Sequence, residues 1–195
     1  VAWLRAHPSP GRIVSDLRTP RSFHNAGMTW GLEGAGGYHS LPVWRYLHLL
    51  WIANHRRPYP GPTLTHDLGA QGPWRYASPL VDLLGVRWVL APREHTIRAR
   101  GFERVFTGAD GVDLWSNPQA FPRAFVVFRA QRVAGEADAA RAIANAAWDP
   151  SRVAIVEGPV PGVPGPDPAA PPPAAVRSAV RSAATSFDVS VELSS

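Results

Sequence analysis

Few residues in this 195-residue chain are placed for acid–base or phosphate chemistry. Glu33 and Asp67 are the carboxylates positioned as catalytic groups would be, in glycine- or proline-rich stretches near histidines. Glu33 lies within Gly31-Leu-Glu-Gly-Ala-Gly-Gly37, which has the glycine content of a phosphate loop. A P-loop needs Gly-Lys-Ser/Thr at a helix entry, and a dinucleotide fingerprint directly follows a strand; neither condition holds. The cluster therefore reads as a structural loop. Gly37-Tyr-His-Ser-Leu41 has the outline of a nucleophile elbow, but position 42 is proline where the second glycine belongs. The seven histidines show neither His-x-His nor His-Glu-x-x-His spacing, so no metal site is expected. What remains is positional. The loop 24–39 and the start of the next helix carry His24, Asn25, Glu33, Tyr38, His39 and Arg45 on a backbone whose glycines permit close approach to a substrate.

Composition narrows the function classes. The formal charge of +5 comes from arginine alone, since no lysine occurs. The arginines are scattered, with Arg56-Arg57 and Arg98/Arg100/Arg104 as the tightest groups, and a nucleic-acid partner is not expected. The absence of cysteine excludes disulfides and thiolate metal sites and leaves the redox compartment open. With 45% hydrophobic residues the chain can bury a core. Trp44, Trp51, Trp74, Trp88 and Trp115 read as core and platform residues rather than a sugar-stacking row. The most apolar run, 41–53, contains Arg45 and His48 and is shorter than the ~20 residues of a membrane span. Arg5, His7 and two prolines interrupt any signal peptide near Val1, and both chain ends read as cuts.

The elements that would position these residues follow from periodicity and punctuation. Strands are expected at 11–16, 86–91, 102–107, 112–116, 123–129 and 152–157. Helices are expected over 40–54 and 136–147, with a short one between Ser78, its N-cap, and Gly85. In the 40–54 helix, Val43/Trp44, Leu47 and Leu50/Trp51 read as the apolar face, and Arg45, His48 and His55 as a polar stripe. Gly108-Ala-Asp-Gly111 predicts a hairpin, and strand, helix, strand over 123–157 predicts a βαβ-like unit. The expected fold is therefore mixed α/β, a small mixed β-sheet with flanking helices over residues 1–157. Residues 158–175 read as a proline-rich linker. Phe187, Val189, Val191 and Leu193 alternate with Asp188, Ser190 and Glu192, which predicts the first strand of a truncated β-sandwich over 176–195.

Several of these stretches, in this order, resemble the extracytoplasmic part of the YfhO family, bacterial membrane proteins of the GT-C glycosyltransferase type. They are Phe23-His-Asn25, Gly37-Tyr-His-Ser-Leu41, Arg45-Tyr-Leu47, Leu80–Val89, Val112–Pro118, Phe121–Val127 and Trp148–Glu157. The resemblance implies a parent protein in the cell membrane that transfers sugar from a polyprenyl-phosphate donor to a cell-envelope acceptor. This piece would lie on the extracytoplasmic side. Its partners would be the transmembrane region of the same polypeptide, the lipid-linked sugar and the acceptor. The catalytic acid of GT-C enzymes sits in an early loop between membrane helices, so the piece is expected to be catalytically silent and to hold no cofactor. A divalent metal, if used, would belong to the full-length enzyme. In that setting Arg45 is placed to meet a lipid phosphate with paired hydrogen bonds. The alternative is a secreted or periplasmic carbohydrate-binding or interaction module without catalysis.

Overall fold

The computed structural model describes residues 2–7, 11–16, 30–36, 43–60, 74–157, 176–183 and 186–193. Among these, the chain order is α1 (Ala2–Ala6), β1 (Arg12–Ser15), α2 (Trp44–His55), α3 (Pro79–Leu83), β2 (Val86–Pro92), β3 (Glu103–Thr107) and β4 (Val112–Ser116). It continues with β5 (Arg129–Val133), α4 (Glu136–Ala144), β6 (Val153–Glu157), β7 (Val176–Ala183) and β8 (Ser186–Leu193). The protein is mixed α/β, as its sequence patterning predicts.

The main sheet has the order β1-β2-β4-β3, with β1 parallel to β2 and the other pairs antiparallel. β2 is apolar along nearly its whole length because it is covered on both faces. Toward one face, Val14, Val86, Val89, Ala91 and Trp115 join Leu50, Ile52 and Ala53 of α2, Leu80 and Val81 of α3, and Ala140 of α4. Fully burying each valine contributes about 1.5–3 kcal/mol. The other face is a smaller cluster in which Ile13, Trp88 and Leu114 meet Leu4 of α1.

Local chemistry sets the turns between these strands. The Ser78 hydroxyl accepts from the Leu80 amide at 3.4 Å, and Pro79 opens α3. Gly85 then takes φ +67°, a left-handed conformation in which a side chain would be strained, and turns the chain into β2. Gly108 opens the β3–β4 hairpin, and a Cβ there would stand 2.3 Å from the Val112 carbonyl oxygen. At the end of β4 the side chain of Asn117 is fully buried. Its Nδ2 donates to Asp82 Oδ1 at 2.7 Å and to the Val86 carbonyl at 3.0 Å, and its Oδ1 accepts from the Gln119 amide at 3.0 Å.

A second sheet pairs β5 and β6 in parallel, from Arg129↔Val153 to Val133↔Glu157, with α4 as the crossover. This is the βαβ unit expected from the sequence. α4 packs on β6 and on α2. β7 and β8 form an antiparallel hairpin, from Val176↔Leu193 to Ala183↔Ser186.

Four expectations are corrected. Residues 123–128 are not a strand; pairing starts at Arg129, the first residue opposite β6. Upstream of it the Phe121 amide donates to the Asp82 carbonyl and the Phe121 ring packs edge-on to Phe125, while Phe128 stays exposed, so β-propensity without a partner strand does not make a strand here. The 136–147 helix stops at Ala144, because Asn145 turns extended and its side chain accepts from the Ala147 amide. β8 is the second strand of its hairpin rather than the first of a new unit. Its partner precedes it in Val-Arg-Ser-Ala-Val-Arg-Ser-Ala, whose arginines and alanines hide the strand signal. On α2 the core is met by Leu50, Ile52 and Ala53 with Tyr46 and Leu49, whereas Val43 and Trp44 face solvent. The expected linker 158–175 lies outside the described residues.

Replacing Asn117 with alanine leaves buried polar groups unpaired and should lower unfolding free energy by about 2–3 kcal/mol in urea titrations. Burial pushes the Asp82 carboxyl above its ordinary value of 3.8, against the opposing hydrogen bond from Asn117. The folded state therefore holds that proton more tightly than the unfolded chain, and Asp82 costs stability as pH rises upward from 3.8. The urea midpoint of the wild type, measured against Asp82→Asn, should fall across that window and be constant above it.

Candidate functional site

Parallel strands concentrate chemistry at their carboxyl ends, where chain reversals bring side chains together outside the sheet. Here β1 and β2 end side by side. The Asp16 amide donates to the Leu90 carbonyl at 2.7 Å, which seats the Asp16 side chain, fully buried, just past β1. Tyr76 Oη donates to Asp16 Oδ2 at 2.9 Å. His95 Nδ1 stands 3.0 Å from the same oxygen, carried there by a turn in which the His95 amide donates to the Pro92 carbonyl. The Tyr76 ring packs on Phe102 and lies beside His95. Only the imidazole reaches solvent, with about a fifth of its surface open. A carboxyl beside an imidazole brings two acid–base groups within reach of each other. The same contacts also hold the strand ends to the 74–78 segment.

A second polar constellation lies at the middle of the sheet. Asp113 is buried in β4, with Arg104 Nη1 at 3.2 Å and Arg93 Nε at 3.5 Å. Both arginines are half-exposed, so the ion pairs close over the carboxylate from the surface. Their work is to compensate a charge that the sheet has buried.

The third constellation runs along α2. Trp44, His48, Trp51 and His55 follow one another at i, i+4, i+7 and i+11, a single helical stripe. Tyr59 folds back over it, edge-on to Trp44 at 5.5 Å and to Trp51 at 5.1 Å. The Tyr59 amide donates to His48 Nε2 at 3.0 Å, which assigns the proton of a neutral ring to Nδ1, 3.5 Å from Glu136 Oε1. Trp44 Nε1 donates to that same Glu136 oxygen at 2.9 Å. His55 stacks on Trp51 at 3.8 Å, and burial, with the Arg57 charge, lowers its pKa. On the core side, Tyr46 Oη donates to the Ala35 carbonyl at 2.5 Å, and burial raises its pKa.

The sequence-derived site residues are distributed as follows. His24, Asn25, Tyr38, His39 and Asp67 lie outside the described residues. Glu33 is engaged by Arg123, which ties the 30–36 loop to the Pro122-Arg123-Ala124 stretch. Arg45 donates from both terminal nitrogens to Glu157, at 2.6 and 3.1 Å, and joins α2 to the end of β6. The structure thus sets Glu33 and Arg45 against different partners. Asp16, Tyr76, His95 and Glu136 were not singled out from sequence. An acid closing the apolar Ile13-Val14 run was the available signal for Asp16. Tyr76 and His95 meet it through strand pairing, which no local pattern encodes. Among the described residues no group of three or more His, Cys, Asp or Glu side chains is placed to hold a metal ion. A cavity of about 10 Å³ between α2, α3 and α4, lined by Ile52, Ser78, Leu80, Ile143 and Trp148, has room for about one water.

Comparison with protein-family models, with curated proteins and with solved structures finds no match to this chain.

The Asp16 cluster carries a direct stability test. Tyr76→Phe removes the hydroxyl donor to a buried carboxyl oxygen while keeping the ring, and should lower unfolding free energy by about 1–3 kcal/mol. Equal urea midpoints for wild type and variant would show that the Tyr76–Asp16 bond carries none of the stability of the strand ends.

Proposed function

We propose that this chain is the extracytoplasmic part of a polytopic membrane glycosyltransferase of the GT-C type, related to the YfhO family. In this role it serves as a folded, non-catalytic domain beside the membrane-embedded reaction centre. The observation that carries the reading is the order of the sequence elements from Gly37-Tyr-His-Ser-Leu41 through Leu80–Val89 and Val112–Val127 to Trp148–Glu157. The contacts of those elements are consistent with a scaffolding role. Arg87 donates to the Asn117 carbonyl at 3.0 Å, Asn117 clasps Asp82, and Trp148 Nε1 donates to the Val153 carbonyl at 2.8 Å. Residues spent in this way hold strands and turns together and leave sugar transfer to the membrane region. There a polyprenyl-phosphate-linked donor and a cell-envelope acceptor would meet, with any divalent metal.

A second reading, a secreted or periplasmic carbohydrate-binding module, is favoured by one observation: Trp44 stands 45% exposed beside the hydrogen-bonding carboxylate of Glu136. Sequence upstream of Val1 separates the two. Multiple hydrophobic spans of ~20 residues each support the membrane reading, and a signal peptide next to Val1 supports the module. The purified 195-residue chain should show no sugar transfer from a polyprenyl-phosphate-linked donor, whereas membranes bearing the full-length protein should. Turnover by the isolated chain would overturn the scaffolding role.

A further inference from the structure

We propose that the surface around Trp44 is a binding site for a neutral saccharide, whose ring stacks on the solvent-open indole while Glu136 and the Arg45–Glu157 pair hydrogen-bond its hydroxyls. The proposal deepens the carbohydrate-binding reading and rests on it. A single exposed aromatic is ordinary on a protein surface. Trp44 is distinguished by how firmly it is held. Its Nε1 donates to Glu136 Oε1 at 2.9 Å, and the Tyr59 ring braces it edge-on at 5.5 Å. Its plane is therefore set before any ligand arrives, and little side-chain entropy is lost on binding.

The rim supplies what a sugar's hydroxyls need. Glu136 is partly exposed and offers acceptor lone pairs beyond those used by Trp44 and His48. Arg45 is 64% exposed and directs two N–H groups at Glu157, out of the five a guanidinium carries. Trp44 bonds Glu136 and its chain neighbour Arg45 bonds Glu157, which gathers the three charged groups around the start of α2. Each hydroxyl of a pyranose both donates and accepts, so it can bridge carboxylate and guanidinium, and the C–H face of the ring suits an indole. The charge balance selects against the alternatives. Glu136 and Glu157 present carboxylates at the rim beside Trp44 and Arg45, and these would meet a phosphate, a sulfate or a uronic acid unfavourably. A wholly apolar partner would desolvate the ion pair and return nothing to it.

The test is titration of the purified chain with maltotetraose and, separately, chitotetraose, followed by the indole N–H resonances in ¹H–¹⁵N spectra. The Trp44 resonance is identified by its absence in Trp44→Phe. At least one probe should shift it saturably in the wild type, and calorimetric titration of the variants, which lack that resonance, should show binding abolished in Trp44→Ala and retained in Trp44→Phe. Glu136→Gln should weaken binding about tenfold, the loss expected of one hydrogen bond to a charged group. No saturable shift with either probe overturns the proposal, as does unchanged affinity in Trp44→Ala. If circular dichroism shows that Trp44→Ala has unfolded, Glu136→Gln decides alone, and unchanged affinity there overturns it. Upstream sequence decides between the membrane and module readings, whereas the titration reads sugar binding at Trp44 directly, so failure of the site and failure of the module reading are recognised separately.

Discussion

The buried amide of Asn117 is the contact on which the arrangement of the main sheet depends. One planar group satisfies the Asp82 carboxyl of α3, the first carbonyl of β2 and the amide that begins the turn after β4. Its own backbone amide donates to the Arg87 carbonyl, and its carbonyl accepts from the Arg87 side chain. Helix, parallel strand and central strand are thereby locked at one point, in surroundings where an unpaired polar atom is costly. Shape alone would not achieve this, since valine and leucine contacts tolerate sliding and an amide with its partners in place does not.

From that point outward the molecule uses α2 twice. Its inner side, with Leu50, Ile52 and Ala53, closes the core over the sheet. Its outer stripe of Trp44, His48, Trp51 and His55 carries no core and instead collects Tyr59, Arg57 and Glu136. The two sides divide stability from surface chemistry along a single helix. Buried charge is handled in the same economical manner. Asp16 is met by a hydroxyl and an imidazole at the strand ends, and Asp113 by two arginines reaching in from solvent.

What was legible in the sequence was local. The Ser78-Pro79 helix start, the left-handed glycine after it, the apolar run of β2 and the Gly-Ala-Asp-Gly hairpin all declare themselves within a few residues. So does the strand–helix–strand order of the β5–β6 unit. What was not legible depends on distant partners. Phe125-Val-Val-Phe128 has the composition of a strand, yet among the described residues no strand lies opposite it. Trp44 shares an apolar periodicity with Leu47 and Leu50, but it stands exposed beside Tyr59 and Glu136. Arg45 and Glu33, read as substrate contacts, have carboxylate and guanidinium partners 112 and 90 residues away.

The parallel pairing of β1 with β2 has a consequence for how the chain comes to be folded. Arg12 bonds to the carbonyl of Leu84 across a separation of 72 residues, whereas β2, β4 and β3 are joined by short connections. Closing the long loop costs entropy before its contacts return anything, so β2, β4 and β3 can pair first and receive β1 afterwards. During synthesis β1 emerges before β2 and has to wait for that partner. Once β2 is made, the edge that β1 will cover is open to other strands until β1 docks, which makes this edge the place where a slow or crowded folding reaction would go astray.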